Sequence, residues 1–332
     1  MDRVLNQRPH VRPELYARVV QAIREMGYVP PREDQSIALG LENENILEKK
    51  GRLGVILPNW KGYFRSEVMR GIRDAQELLR NYLIDVIIEE CDTTLPEESI
   101  ERMENLVEQG AGGISICAMD HPLIARKINE LYEKEIPVIT YNSDISACNR
   151  LCFIGQDLAA SGRVAGELMT KYLQPGDQLI AAVANPSFHG HRLRLQGFYD
   201  LLSEKKFPKN SIHLIKTYND YMLTFQNVKD ILRQKPGIKG IYMANHSVSG
   251  CAEAIHSMGL TGKIHVISHD LTESTKRLLK SGRIDFAIAQ DIYQQGYRPL
   301  LELRKYLSKT GPREMETSRQ KIDIICAENI YL

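Results

Sequence analysis

Leu53-Gly54-Val55-Ile56-Leu57 is a short apolar run that Pro58-Asn59 stops at once. It lacks the polar alternation of a half-buried strand, so it reads as a strand covered on both faces. Residues 66–79, just downstream, carry apolar side chains at helical spacing. The alternation then repeats. Residues 84–88 read as a strand, 100–107 as part of a helix, 113–117 as a strand, 123–131 as a helix and 137–141 as a strand. Continuous apolar strands separated by amphipathic helices predict an α/β fold, a parallel sheet with helices on both faces. Right-handed crossovers make such a sheet doubly wound.

The pattern restarts after Asp157. A helix over 158–172 ends at Pro175-Gly176, both strong terminators. Strands are then expected at 179–183, 212–215, 240–243, 264–268 and 286–289, with a last one at 322–326. Helices are expected at 192–202, 224–233, 249–258, 273–280 and 294–307. Two series of similar length predict two lobes of one Rossmann-like, doubly wound architecture, with no internal sequence repeat evident. The expected crossings are Gly155-Gln156-Asp157, Ala289-Gln290-Asp291 and a return near residues 316–318. Lobe one then holds about 52–156 plus 291–317, and lobe two about 157–290 plus 318–332. Ligands bind beyond the carboxyl ends of parallel strands, so facing lobes create a cleft suited to a small molecule and able to close by a hinge.

The 332 residues carry a formal net charge of +1, which argues against a global field for nucleic acid or an acidic substrate. Lys49, Lys50 and Arg52 form a small basic cluster that reads as a solvated linker. No apolar run approaches the roughly 20 residues that span a bilayer, and no secretory signal is visible, so a cytoplasmic protein is expected. Cys148 and Cys152 are four apart, which is not the spacing of zinc or redox sites, and the six cysteines read as reduced thiols. His189 and His191 lack acidic or thiol neighbours, so no metal is expected, and nothing calls for a cofactor.

Residues just after the strands are polar and aromatic: Asn59-Trp60-Lys61-Gly62-Tyr63-Phe64, Tyr141-Asn142-Ser143-Asp144, Asn185, Asn245-His246, His269-Asp270 and Gln290-Asp291. Such amides and carboxylates bond hydroxyls directionally, while aromatic faces cover the apolar face of a sugar ring. The competing explanation is that each Asn or Asp merely caps the next helix. For one residue capping serves as well; for the whole set at one edge a polyol site serves better.

These segments, in order, resemble the LacI family of transcription factors and the periplasmic sugar-binding proteins related to it. Leu53–Pro58 is similar to the family's opening strand, and Tyr63-Phe64 lands where relatives stack two aromatics on the sugar. Ile136-Pro137-Val138-Ile139-Thr140 resembles an "IPVIT" strand followed by a sugar-binding Asp, here Asn142. Arg192 to Phe198 is similar to an "RLRLAGF" helix whose second arginine, here Arg194, bonds sugar hydroxyls. Ala244-Asn245 matches an "AND" site in which His246 replaces the aspartate. His269-Asp270-Leu271-Thr272 resembles "GHDLT", making Asp270 the bidentate acceptor; Ile288-Ala289-Gln290-Asp291 resembles an "IxQD" hinge that points Gln290 into the cleft. Ile324 and Glu328-Asn329-Ile330 resemble the family's tail. The resemblance implies two lobes of periplasmic binding protein type I. Its candidate ligand-binding set is Lys61, Tyr63, Phe64, Asn142, Arg194, Asn219, Asn245, Asp270 and Gln290. Asn142 and His246, each in place of Asp, remove negative charge from the cleft.

The first thirty residues extend the likeness. Asp2-Arg3-Val4-Leu5-Asn6 resembles the end of a "TVDRVLN" recognition helix, with Met1 in place of the valine, and Val11 to Pro30 resembles the rest of a helix-turn-helix headpiece. Residues 1–50 are thus expected to be a truncated, all-helical headpiece remnant with Arg3 and Asn6 as DNA-contacting remnants. Base-reading residues sit at the start of the recognition helix, so the chain as given is expected to lack useful operator affinity and to be mobile or irregularly packed over residues 1 to about 50. The following segment puts Asp34 where the family's minor-groove hinge helix has alanine, and Glu42, Glu44 and Glu48 oppose phosphate. The resemblance implies a regulator core that takes a sugar or polyol effector, works as a homodimer and, in its full-length form, binds operator DNA. Val68, Met69, Ile72 and Leu79 are the candidate dimer face, with core packing as the competing reading. One alternative is a solute-binding protein of an uptake transporter, which needs export. The other is a Rossmann-like enzyme, against which stand the missing GxGxxG, Walker and GxSxG motifs; Gly110-Ala111-Gly112-Gly113 precedes a strand and reads as a turn.

Overall fold

The computed structural model describes residues 4, 11–25, 51–184, 189–245, 247–308 and 318–330. The chain divides into two compact units, Met1–Lys50 and Gly51–Leu332. In the first, helix α1 runs over Pro13–Glu25. Proline suits a first helical position, where its missing N–H has no partner to lose. Val4 and Ile23 are buried, with Val11, Tyr16, Val19 and Val20 packed around them. These described residues form a small apolar core. Arg3, Asn6 and the acidic stretch 31–48 lie outside the described residues.

The second unit holds two sheets of six strands. Lobe one contains β1 (Gly51–Pro58), β2 (Ile84–Cys91), β3 (Ile114–Ile116), β4 (Val138–Tyr141), β5 (Cys152–Gln156) and β11 (Ser318–Gln320). Its helices are α2 (Tyr63–Arg80), α3 (Pro96–Glu108), α4 (Pro122–Glu133) and α10 (Ile292–Leu307). Lobe two contains β6 (Gln178–Val183), β7 (Ile212–Lys216), β8 (Ile238–Met243), β9 (His265–His269), β10 (Phe286–Ala289) and β12 (Asp323–Ile325). Its helices are α5 (Leu158–Met169), α6 (His189–Glu204), α7 (Tyr221–Gln234), α8 (Val248–Ser257) and α9 (Glu273–Lys280). The strand orders are β11-β5-β4-β3-β1-β2 and β12-β10-β9-β8-β6-β7. From β6 to β10, lobe two repeats lobe one strand for strand, a duplication the residues themselves do not advertise.

Both faces of each sheet are covered, as continuous apolar strands require. In lobe one, Leu53, Val55 and Leu57 pack on Val68, Ile72, Leu300 and Leu303, while Ile56, Ile114 and Ile116 pack on Met103, Leu106 and Ile128. Val68, Ile72 and Leu79 therefore belong to the core between β1 and α10, and Met69 packs partly buried on it. This corrects their assignment to a dimer face: a helical apolar stripe fits either role, and here the partner is the chain's own α10.

Three crossings join the lobes, at β5 to α5, β10 to α10 and β11 to β12. The third lies a few residues past the expected point, because Ser318 to Gln320 pair in parallel with Ile154 to Gln156 of lobe one. Ala287 to Ala289 then pair antiparallel with Ile325 to Asp323 in lobe two. Neither Ser-Arg-Gln nor the five-residue β5 carries the apolar length that marks a strand in sequence.

Capping starts the helices that leave the crossings and the cleft. Asp157 Oδ1 accepts from Ala160 N at 2.9 Å, Asp220 Oδ1 from Leu223 N at 2.6 Å, Thr272 Oγ1 from Thr275 N at 3.2 Å and Asp291 Oδ1 from Gln294 N at 3.0 Å. Paired glycines let α5 and α6 meet closely. A side chain on Gly162 would run into the backbone of Arg194, and one on Gly197 into that of Ala159. That contact sets where Arg194 stands.

Candidate functional site

The carboxyl ends of both sheets open on one cavity of about 760 Å³. Eight of the candidate residues line it: Lys61, Phe64, Asn142, Arg194, Asn219, Asn245, Asp270 and Gln290. All but Arg194, which stands in the second turn of α6, leave a strand end or start the helix that follows. Three take left-handed backbone conformations, Asn142 at φ 60°, Asn219 at 58° and Asp270 at 69°. Asn and Asp tolerate that region best among residues with a side chain, and such strain gathers at functional sites. The bend lets Asn142 N bond Ile154 O and Asp270 N bond Ile288 O, so the backbone stays in the sheet while the residue lines the cleft. Asn142 after β4 and Asp270 after β9 are equivalent positions in the repeated lobes.

Capping and cavity roles fall on neighbouring residues. Asp220, Thr272 and Asp291 cap helices, whereas Asn219, Asp270 and Gln290 line the cavity. The capping explanation thus holds for one member of each pair and fails for the other.

Lobe two presents the buried polar groups. Arg194 is 6% exposed, Asp270 3% and Asn245 1%. Arg194 Nη1 donates to Ala244 O at 3.3 Å, and its Nη2 lies 4.0 Å from Asp270 Oδ1. Gln290 Nε2 donates to Asp270 Oδ1 at 2.8 Å. Asn245 Nδ2 reaches Thr217 Oγ1 and Asn219 Oδ1, each at 2.7 Å, and Ser247 Oγ at 3.1 Å. Two opposite charges held this deep need each other, since an unpaired buried ion is strongly destabilising. Behind them Tyr242 Oη and His269 Nε2 lie 2.7 Å apart. Burial, then the Arg194 charge, holds His269 well below the usual histidine range, so it is neutral.

Lobe one presents rings and more exposed groups. Trp60 and Phe64 line the cavity with ring centroids 5.7 Å apart. Tyr63 opens α2 and packs edge-on against Phe64 at 5.9 Å, but it does not line the cavity. Trp60 therefore takes the place expected of Tyr63 as second wall ring. Burial and the nearby Glu67 and Asp270 push the Tyr63 hydroxyl up to about 12. Lys61 stands exposed at the wall.

Sequence reasoning missed Asp92, Thr93 and Thr94, which also line the cavity. They follow β2 directly, and the rule of polar residues after a strand would have found them. Glu89-Glu90 hid the strand's end, because β2 is an edge strand whose side chains before Cys91 are only part-buried or exposed. Cys117, Ala118, Leu158, Gly190 and His191 complete much of the wall. Asn185 and His246 lie outside the described residues. Among the described residues no three His, Cys, Asp or Glu side chains gather as metal ligands, and all six cysteines are free thiols. Among them, too, no helix is long and apolar enough to cross a membrane.

Known proteins share this architecture. A xylose/arabinose-binding protein of Sulfolobus acidocaldarius is 24% identical over 75% of this chain and 67% of its own length. Catabolite control protein A of Priestia megaterium is 22% identical over 93% of this chain and 88% of its own. The ribose operon repressor of Halalkalibacterium halodurans is 22% identical over 97% and 89%. The crystal structure of a glucose-galactose binding protein from Geobacillus stearothermophilus superposes with a TM-score of 0.73 at 18% identity, covering 86% of this chain and all of that one. These are named as binding and regulatory proteins, not enzymes. The family model described as periplasmic binding protein domain matches residues 53–311, a range that includes every residue lining the cleft named above. The chain belongs to the periplasmic binding protein domain family, with the two-lobed type I fold.

Proposed function

We propose that this chain is the effector-binding core of a LacI-family transcriptional regulator, which takes a monosaccharide, sugar derivative or polyol in the interlobe cleft and thereby controls DNA binding. The observation that carries the ligand class is the division of the cleft. Buried Arg194, Asn245 and Asp270 form one polar wall, and the Trp60 and Phe64 rings stand on the other. Directional hydrogen bonds on one side and flat apolar faces on the other match the two faces of a sugar. The regulator assignment rests on reach. The two regulators align with 93% and 97% of the chain, so both alignments enter residues 1–50, while the archaeal sugar-binding protein aligns with 75%. On this reading the protein is a cytoplasmic homodimer, and Arg3 and Asn6 belong to a DNA-binding segment.

A calorimetric screen against D-ribose, D-xylose, L-arabinose, D-glucose, D-galactose and common polyols tests the ligand class. A tight binder weakened by both Arg194→Ala and Asp270→Ala is the expected outcome; one indifferent to both would sink the assignment. Regulation is tested by a gel-shift assay of the gene product with its neighbouring promoter, with and without that sugar, at low salt where phosphate attraction is strongest. Sugar binding with no sugar-dependent shift at any salt would favour the solute-binding reading.

A further inference from the structure

We propose that Gln295, which does not line the cavity, is a positioning residue that decides which amide edge Asn142 offers to the ligand. The proposal rests on the cleft being the binding site. Gln295 is wholly buried in the first turn of α10. Its Nε2 donates to Gln290 Oε1 and to Gln320 Oε1, each at 2.9 Å. Its Oε1 accepts from Asn142 Nδ2 at 2.8 Å. Both hydrogens and the oxygen of one buried amide are thus spent on three other side-chain amides.

A primary amide alone could turn over, exchanging donor for acceptor, and pass that reversal along the chain. Two acceptor-only groups forbid it. Gln320 Nε2 donates to the backbone carbonyl of Asp291 at 2.9 Å, and a carbonyl only accepts. Gln320 must therefore turn its Oε1 to Gln295. At the other end Gln290 Nε2 donates to the Asp270 carboxylate at 2.8 Å, so its Oε1 too faces Gln295. Both anchors demand the same orientation of Gln295, and that orientation requires Asn142 to give it an N–H. The groups left on Asn142 are its Oδ1, 4.0 Å from the cavity-lining Cys117 Sγ, and one N–H. Gln290 is left with one N–H. Asn142 therefore keeps an uncharged acceptor, its Oδ1, and one N–H for the cleft, while Gln290, its Oε1 turned to Gln295, stands as a donor. A ligand hydroxyl that donates toward Asn142 and accepts from Gln290 fits this polarity, and an epimer that reverses the pair does not.

Gln295→Met keeps the length of the side chain and removes the amide. Side-chain amide exchange by NMR, with no ligand present, is the first readout. Protection of the Asn142 amide, which donates to Gln295 Oε1, should fall about tenfold, the loss of a buried hydrogen bond. Asn245, bonded to Thr217, Asn219 and Ser247 in lobe two, should keep its protection. Unchanged protection at Asn142, or an equal loss at Asn245, overturns the proposal. The second readout is the ranking of D-ribose, D-xylose, D-glucose and D-galactose by calorimetry. Preferences among epimers should flatten by about tenfold, whereas uniform weakening with the ranking kept overturns the specificity role. If none of these sugars binds the unaltered protein, the ligand class has failed, and the exchange experiment still judges Gln295. Should Gln295→Met not fold, Gln295→Leu removes the same amide with a smaller side chain and touches no wall residue. The same loss of protection at Asn142 is expected there, and its absence overturns the proposal.

Discussion

Lobe two and lobe one share a strand order and a handedness, yet they bring different chemistry to the cleft. Lobe two supplies Arg194, Asn245 and Asp270, all nearly buried and tied to their own lobe's backbone or side chains. Lobe one supplies Trp60 and Phe64, which are half-buried, and Lys61, which is exposed. The contrast is sharpest at the equivalent pair, Asp270 against Asn142: one backbone device, a left-handed residue after the fourth strand, carries a charge in one lobe and a neutral amide in the other. A duplicated scaffold fixes where side chains stand and leaves their roles free. Recognition through buried charge on this view belongs to lobe two, and ring coverage with neutral amide contacts to lobe one.

The largest effect that tests this division is the loss of a buried charge in lobe two. Removing one partner of a desolvated charge pair costs about 2–5 kcal/mol, so Arg194→Ala or Asp270→Ala should weaken sugar binding by roughly two decades or more. Calorimetry should show the double variant little worse than the worse single one, because the charges act on each other. Additive losses would mean that the two touch the ligand independently.

Next comes the placement of Arg194. Gly162→Ala forces α6 away from α5 at the backbone of Arg194, and overpacking of this kind costs about 1–3 kcal/mol. Both the melting temperature and the sugar affinity should fall. Gly71→Ala provides the lobe-one control, since it crowds the backbone of Tyr293 where α2 meets α10, away from the polar wall. Equal loss of affinity in both variants would erase the distinction between the lobes. Phe64→Ala, which removes a lobe-one ring without touching a charge, should cost less, about tenfold in affinity, as the stacking surface of one aromatic ring suggests.

Most of the architecture was legible because continuous apolar strands and amphipathic helices alternate from Leu53 onward. What stayed hidden had weak local signals. β5 and β11 are short, Ser318-Arg319-Gln320 is polar throughout, and their strand character comes from pairing, β5 between β4 and β11 and β11 at the sheet's edge. Within the site, strand-end position found the polar residues but could not tell Asp270 from the Thr272 cap, nor Gln290 from the Asp291 cap. Nor could spacing distinguish Trp60 from Tyr63, because the helix begins at Tyr63 and turns that ring off the wall. Gln295 is invisible from sequence: its partners lie at Asn142, Gln290 and Gln320, and only the fold brings them together.

Acid should discriminate the lobes as well. His269 is held well below its ordinary range by burial and by Arg194, and His213 is lowered by burial and Lys235; both lie in lobe two. A histidine with a depressed folded-state pKa contributes stability that is present above its unfolded pKa of about 6.5 and is lost as the pH falls below it. The melting temperature should therefore decline between about pH 7 and pH 5, before carboxylates titrate. His269→Gln should flatten that slope at some cost in stability at pH 7. An unaltered slope would place the acid sensitivity elsewhere.

The smallest effect is expected at the exposed end of the contrast, and it bears on the ligand's charge. Lys61 stands in lobe one's wall, open to solvent. A solvated charge is screened over about 8 Å at physiological ionic strength. For a neutral sugar, Lys61→Ala should change affinity by less than about threefold, with little dependence on salt, because exposed charges contribute of order 1 kcal/mol or less. For an anionic derivative such as a sugar acid or sugar phosphate, the same substitution should weaken binding more at low salt than at high salt. The cavity holds Asp92 and Asp270 against Lys61 and Arg194, and Arg194 is already engaged with Asp270. That balance favours the neutral ligand, so a salt-dependent loss in Lys61→Ala would show that the exposed lobe takes part in recognition after all.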